Sequence, residues 1–370
     1  MRQFLKLRKL LTNLGIALGA ILFCCFLGEI VLRTFYKNKI VLFPRFHSGA
    51  QYGEFRLRRI QPNMTFWHTS IDGSWKFKIN KQGFRSNYDF EYEKKPGTLR
   101  ILVLGDSHTQ GFEVRQDYTY SAILEKYLNS HGVKAEVYNM GIAGFSTAEE
   151  LIFLENEGVK YSPDIVILGF FANDLEDNVK ADLFAVVNDE LVLKKKEHIP
   201  GVKYLDIIYS IPFTKWLSQR SYLFSVFFNE IWDISKKQLY KNKRGELSTE
   251  YAIPISKINN YQITLVRRLI ERMYDFCKEN KYYFIILNIP GTKGPMKEES
   301  FLHDNSADIV LDGNTILSDY SGVVELHVPH GHRHISEFTH LLIGQSLATR
   351  IMTETVQKHI NQKSRNILTD

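Results

Sequence analysis

The sequence predicts an α/β protein. A largely parallel sheet is covered by helices on both faces, behind a membrane-spanning helix and a small β-rich segment. Three observations predict it. From residue 99 onward, short apolar runs alternate with longer stretches of helical pattern, as in successive strand and crossover helix. The apolar runs are continuous, as in Ile165-Val-Ile-Leu168, which suits strands buried on both faces. A stretch near the N-terminus is apolar enough to span a bilayer.

That stretch, Leu10 to Gly28, carries no charged side chain, and with Ile30, Val31 and Leu32 it approaches the ~20 residues a spanning helix needs. Arg2, Lys6, Arg8 and Lys9 precede it, so the N-terminus is expected in the cytoplasm and the rest of the chain outside it. The segment ends Phe26-Leu-Gly-Glu-Ile-Val-Leu-Arg33, without the small residues of a signal-peptide cleavage site. Phe23 before Cys24 argues against lipoprotein processing. The expectation is an uncleaved single-pass anchor in the inner (cytoplasmic) membrane over residues 10–32, with residues 1–35 as tail and anchor.

The first 45 residues hold eight basic side chains against Glu29 alone, more than the chain's whole net charge of +6. The remainder is therefore slightly acidic. The basic balance flanks the anchor, and no nucleic-acid surface is expected. Of the three cysteines, two lie in the anchor, so no disulfide framework is available to the rest.

Residues 36–98 read as short strands and turns: Phe66-Trp-His68, Ser74 to Asn80, and Gly83-Phe-Arg85. Lys94-Lys-Pro-Gly97 marks the boundary to the main domain, 99–370. There the expected strands are Arg100–Leu104, Ala135–Asn139, Ile165–Phe171, Tyr282–Ile289 and Val323–Val328. Helices are expected near 118–131, 146–160, 257–280 and 336–358. Residues 180–256 interrupt the alternation as an insertion. Trp216, Tyr222, Phe224, Phe227, Phe228, Trp232 and Tyr240 lie in it, at helical spacing over 213–240. Aromatic burial alone explains such a stripe, so packing is expected rather than substrate contact.

Chemistry points to Ser107. It follows the apolar run Ile101–Leu104, on the loop at the carboxyl end of a strand, where open α/β sheets place ligands. A serine nucleophile needs a base and donors for the oxyanion. The chain supplies Gly105-Asp-Ser-His108, then Asn139-Met-Gly-Ile-Ala-Gly144, then Gly169-Phe-Phe-Ala-Asn-Asp174, then His334-Ile-Ser-Glu-Phe-Thr-His340. Each alone reads as a turn, a helix cap or a surface histidine. Three of them at the ends of successive strands converge on one edge of the sheet. Asn173 brings side-chain N–H donors, and Gly144 lets backbone N–H groups approach a ligand. Thr109 stands where the Gly-x-Ser-x-Gly elbow of α/β-hydrolases needs glycine. Asp106 is read as capping the loop, and Asp174 and Asn178 as rim or capping residues.

In this order the motifs resemble the SGNH, or GDSL-type, hydrolase superfamily, and Asn80-Lys-Gln-Gly-Phe-Arg85 resembles its membrane-anchored bacterial members. The resemblance implies a three-layer α/β/α, flavodoxin-like sandwich. It implies Ser107 as nucleophile, His334 as base, and the Ser107 N–H, Gly144 N–H and Asn173 amide as oxyanion donors. It implies no cofactor. The activity expected is a serine esterase cleaving O-acyl esters on a cell-surface or exported glycan, or on a lipid. An O-acyltransferase on a polysaccharide and a non-catalytic glycan-binding or assembly protein are the alternatives.

Family members usually carry Asp three residues before the histidine, and that position here is Gly331. A backbone carbonyl, or a carboxylate from elsewhere such as Glu325, Asp319 or Asp312, could orient His334. His330, His332 and His334 would share one face of an extended segment. With Arg333 between them and no acidic or thiol partner nearby, no metal is expected.

Overall fold

The computed structural model describes residues 1–240, 260–292, 302 and 307–367. The last part of the expected insertion, 241–256, and the start of the helix expected at 257 lie outside them.

The chain opens with helix α1 (Arg2–Phe35), which contains the whole apolar stretch. None of its spanning window is buried against the rest of the protein. Two antiparallel hairpins follow: β1 (His47–Tyr52) with β2 (Phe55–Ile60), and β3 (Thr65–Ser70) with β4 (Gly73–Lys78). Their inward residues Ile60, Phe66 and Phe77 form a cluster with Phe46, Phe112, Leu205 and Tyr209.

The alternating region then begins. Its elements are β5 (Leu99–Gly105), α2 (Ser107–Gln110), α3 (Tyr120–Ser130), β6 (Ala135–Asn139), α4 (Thr147–Asn156), β7 (Ile165–Phe170) and α5 (Asp174–Ala181). The insertion contributes β8 (Phe184–Val187), β9 (Glu190–Leu193), β10 (Glu197–His198), α6 (Val202–Ser210), α7 (Thr214–Arg220) and α8 (Tyr222–Tyr240). The chain resumes with α9 (Asn260–Glu279), β11 (Tyr283–Asn288), β12 (Ile309–Asp312), α10 (Gly313–Ile316) and α11 (Glu337–Ile367).

The central sheet has five strands in the order β12-β11-β7-β5-β6, all parallel. Counted along the chain this is 2-1-3-4-5 from the β6 edge, the flavodoxin-like order, and β5 and β7 flank its switch point. Strand alternation sends Ile101 and Val103 to one face, against Tyr120, Leu124, Ile343 and Leu347 of α3 and α11. Leu102 and Leu104 go to the other, against Leu151 of α4 and Val266 and Leu269 of α9. In β7 every residue is buried, as its unbroken apolar run requires.

One expected strand is corrected. The partner of β11 is Ile309–Asp312, in register Ile285 with Ile309, and Val323–Val328 is not in the sheet. Val323 and Val324 are exposed, and the segment makes only an isolated bridge, His327 with Ile335. Its alternating pattern belongs to a surface loop that holds His334. The insertion joins the N-terminal hairpins, because β10 pairs parallel with β2.

Candidate active site

Ser107 is the first residue of α2 and is buried. It is set by two neighbours. Gly105 has φ of 152, and a Cβ there would overlap Thr109 Oγ1, so the sharp exit from β5 requires glycine. Asp106 caps the helix, its side chain accepting from the His108 N–H at 2.8 Å. Asp106 thus holds the place the sequence suggests. Burial pushes its carboxyl up, but the adjoining His108 outweighs this and holds it below the usual range.

His334 Nε2 lies 2.8 Å from Ser107 Oγ, and both groups are buried. The loop carrying His334 is pinned by the Val328 N–H on the His334 carbonyl (2.8 Å) and the Ser336 N–H on the Leu326 carbonyl (2.9 Å). Burial lowers the His334 pKa, as does the neighbouring His108, while Glu113 and Asp106 raise it; the net is downward.

Asn173 leaves β7 at the neighbouring strand end and donates its amide to Asp106 Oδ2 (3.1 Å) and Asp177 Oδ2 (3.2 Å). Its amide is therefore tied to the residue before Ser107. Gly144 lies on the loop after β6. That loop docks on the serine turn through the Ile142 N–H to the Gly105 carbonyl (3.0 Å) and the Ala143 N–H to Gln110 Oε1 (3.2 Å). Arg58 of β2 donates to the Ala143 carbonyl at 2.8 Å, so the hairpins also support this loop. Asp174 and Asn178 are not rim residues: both are buried. Asn178 accepts from the Ala148 N–H at 2.8 Å and so bolts α5 to α4. Glu150 and Asp174 are pushed well above the usual range, by burial and by neighbouring carboxylates.

The residue that sequence reasoning missed is Glu113. Its side chain is fully buried, and its Oε2 lies 3.6 Å from His334 Nδ1. That exceeds a hydrogen bond, as is common for catalytic contacts before substrate binds. The same carboxylate accepts from the His332 N–H (2.9 Å) and the His334 N–H (3.4 Å). Burial raises the Glu113 pKa, but His334 and the His332 N–H outweigh it and hold the carboxyl below its usual range. Glu113 itself has φ of 58, a strained setting for a non-glycine residue.

The carboxylates considered from sequence are elsewhere. Asp312 caps α10, accepting from the Asn314 and Thr315 N–H groups, and Glu325 and Asp319 are exposed. The sequence did hold one signal, a lone acid in the apolar context Gly-Phe-Glu-Val, but nothing there directs it to residue 334.

Buried Arg85, in the motif after β4, fixes the Glu113 loop. Its guanidinium lies 3.8 Å from the Phe77 ring centroid and donates to the carbonyls of Gln110 (3.2 Å), Gly111 and Val114 (2.6 Å). The three histidines of the 330–334 run part company. Exposed His330 meets Asp72 at 2.8 Å, while His332 is turned inward toward His68. His68, Glu113 and His332 bring their donor atoms within 4.8 Å of one another, close enough for a metal ion or a buried water. Glu113 is already engaged with His334, so the grouping forms the layer behind that residue.

A buried serine, an imidazole in hydrogen-bond contact with it, a carboxylate behind the imidazole and N–H donors at the strand ends can together support acyl transfer. Parts of the chain are similar to known proteins. Residues 103–231 match the GDSL-like Lipase/Acylhydrolase family. An arylesterase from Vibrio mimicus is 32% identical over 75 residues, 20% of this chain and 38% of that protein. The chain thus aligns with well under half of that relative's length. Among solved structures, a putative lipolytic protein of the G-D-S-L family from Desulfitobacterium hafniense is similar with a TM-score of 0.37 and 14% identity, over 68% of this chain and 98% of that one. A catalytic mutant of an acetylxylan esterase from Geobacillus stearothermophilus has a TM-score of 0.38 and 11% identity, over 69% and 94% of the two chains.

Proposed function

From a chain whose residues 103–231 match the GDSL-like lipase/acylhydrolase family, we propose a membrane-anchored serine esterase that cleaves O-acyl esters through an acyl-enzyme on Ser107. The observation that carries this reading is the 2.8 Å contact between His334 Nε2 and Ser107 Oγ, in a buried setting.

Ser107 Oγ attacks the ester carbonyl and passes its proton to His334 Nε2. Glu113 faces the other ring nitrogen and stabilises the imidazolium that results. The oxyanion is held by the Ser107 and Gly144 N–H groups and by the Asn173 amide, which turns one N–H away from Asp177. The tetrahedral intermediate collapses, and His334 returns the proton to the departing alcohol. Water, deprotonated by the same imidazole, then releases the acid. In this reading residues 1–35 anchor the chain and 36–98 with the insertion brace the site. Residues 99–370 carry the chemistry on the extracytoplasmic side. That placement favours an acylated surface glycan or a lipid as substrate.

The test is hydrolysis of short p-nitrophenyl esters by the full chain in detergent micelles, beside Ser107→Ala and His334→Ala. Turnover by the wild type, with loss of at least about 10³-fold in each variant, supports the reading. Equal inactivity of all three sinks it. Turnover that appears only with a sugar acceptor would reassign the site to acyl transfer.

A further inference from the structure

We propose that helices α6 and α7 and the neighbouring β3–β4 hairpin form a bilayer-facing surface, seated in the headgroup region of the membrane that α1 spans. The proposal rests on the anchored reading of α1.

The first support is continuity with the anchor. Glu29, near the C-terminal end of α1, accepts from Ser221 Oγ (2.9 Å) and from the N–H groups of Tyr222 (3.1 Å) and Leu223 (2.9 Å). It thereby satisfies free N–H groups at the start of α8. Arg33 donates to the Arg220 carbonyl at 2.7 Å, and its guanidinium lies 4.8 Å from the Tyr222 ring centroid. Leu32 packs with Leu42, Tyr222 and Val226. The junction of α7 and α8 is therefore fastened where α1 ends.

The second support is what this junction exposes. Phe213 is 79% exposed, Ile207 65% and Trp216 54%, with Tyr204 and Trp67 also open. Several large apolar side chains together on one region mark an interaction surface rather than an ordinary solvated face. Phe213 also has φ of 69, an unfavourable setting for an aromatic residue at the most exposed point.

The third support is chemistry that selects lipid. Trp and Tyr beside Lys and Arg are the composition of a membrane interface. Lys203, Lys215 and Arg220 are exposed here, with Asp206 the exposed acid of α6, and Lys37 and Lys39 follow α1, whose Arg33 pairs with Glu29 at 2.7 Å. Such a cationic rim attracts anionic headgroups. The anchor holds this surface beside the bilayer at high effective concentration.

The consequence reaches the active site. Gln219 of α7 accepts from the Trp67 N–H at 3.1 Å, joining the surface to β3. The next residue along β3 is His68, which packs on His332, and Asp72 at the hairpin tip pairs with His330. The hairpin that meets the membrane thus also braces the loop carrying His334.

The test uses full-length protein in vesicles of phosphatidylcholine and phosphatidylglycerol, with and without bromine near the headgroup end of the acyl chains. An intact mass shows whether residues 1–35 are retained. The chain has four tryptophans and none in α1, so bromine quenching reports on the folded part. Quenching of the wild type, reduced in Trp216→Phe and in Trp67→Phe and abolished in the double variant, supports the proposal. Emission blind to bromine, or quenching that survives in the double variant, overturns it. So does a cross-linked dimer through this face with emission blind to bromine, which would assign the surface to a second copy. Loss of residues 1–35 removes the anchor and the proposal with it. None of these readouts requires esterase activity, so failure here is separable from failure of the catalytic reading.

Discussion

Glu113 and Gly331 occupy complementary space behind His334. A Cβ at 331 would overlap Glu113 Oε1, and Gly331 has φ of 56, a conformation glycine adopts without penalty. There is room for one carboxylate, and it comes from the loop after α2 rather than from three residues before the histidine. The position that lacks an acid in the sequence is the position that must lack a side chain.

That complementarity predicts a transplant. Glu113→Ala lowers kcat by about 10²–10⁴-fold, the range for losing support of a catalytic base. Gly331→Asp alone overpacks the site and costs about 1–3 kcal/mol of stability. The double variant, with its acid at 331 and the space cleared, recovers at least about tenfold in kcat over Glu113→Ala. Ester turnover and denaturant midpoints on the four proteins measure this. A double variant no better than Glu113→Ala would contradict it.

The pH profile carries a second prediction. His334 must be neutral to accept the serine proton. Burial and His108 hold its pKa below the ordinary imidazole value, so the acid limb of kcat/KM lies below about 6.5. Glu113 opposes that lowering. Removing its charge with Glu113→Gln therefore moves the limb further toward acid, while kcat falls. A limb that stays in place or moves toward neutral would show that Glu113 does not act on the imidazole.

Acid should unfold the protein through its buried histidines. Burial holds the pKa values of buried His68 and His340 and of half-buried His332 well below the ordinary one. In the unfolded chain they protonate as pH falls through about 6.5, so the unfolded state binds more protons and stability declines from there downward. Each contributes a slope of up to about 1.4 kcal/mol per pH unit. Glu113, with its depressed pKa, adds a loss that sets in below the ordinary carboxylate range. Denaturant midpoints between pH 7 and about 5 should fall, and His68→Phe, filling a place walled by Phe43, Trp75 and Phe112, should flatten the slope. An unchanged slope would contradict the assignment.

Arg85 predicts a structural effect with a catalytic echo. Arg85→Met keeps much of the packing on Phe77 but strips three buried carbonyls of their donor. The cost should be about 2–4 kcal/mol, with kcat reduced because Glu113 lies within the released loop. Thermal or chemical denaturation together with ester turnover checks both; unchanged stability would show that these carbonyls find other donors.

The sequence was most legible at the strand ends where the candidate site lies. Ser107 and Asn173 flank the switch point because unbroken apolar runs identify β5 and β7, and the residues after them have one edge to occupy. The edge strand was harder. Ile309–Asp312 has four residues and ends in an acid that caps the next helix, while Val323–Val328 imitates a strand although Val323 and Val324 face solvent and Val328 is buried. Glu113 was not legible because its partnership with His334 is set by a turn at positive φ and by a missing Cβ at 331. Neither has a sequence spacing.

The most direct measurement is mass spectrometry of the protein quenched during turnover of p-nitrophenyl acetate. The account predicts one acetyl group on the peptide bearing Ser107, accumulating further when Glu113→Gln slows deacylation, and absent in Ser107→Ala. No adduct, or an adduct on another residue that persists in Ser107→Ala, would contradict it.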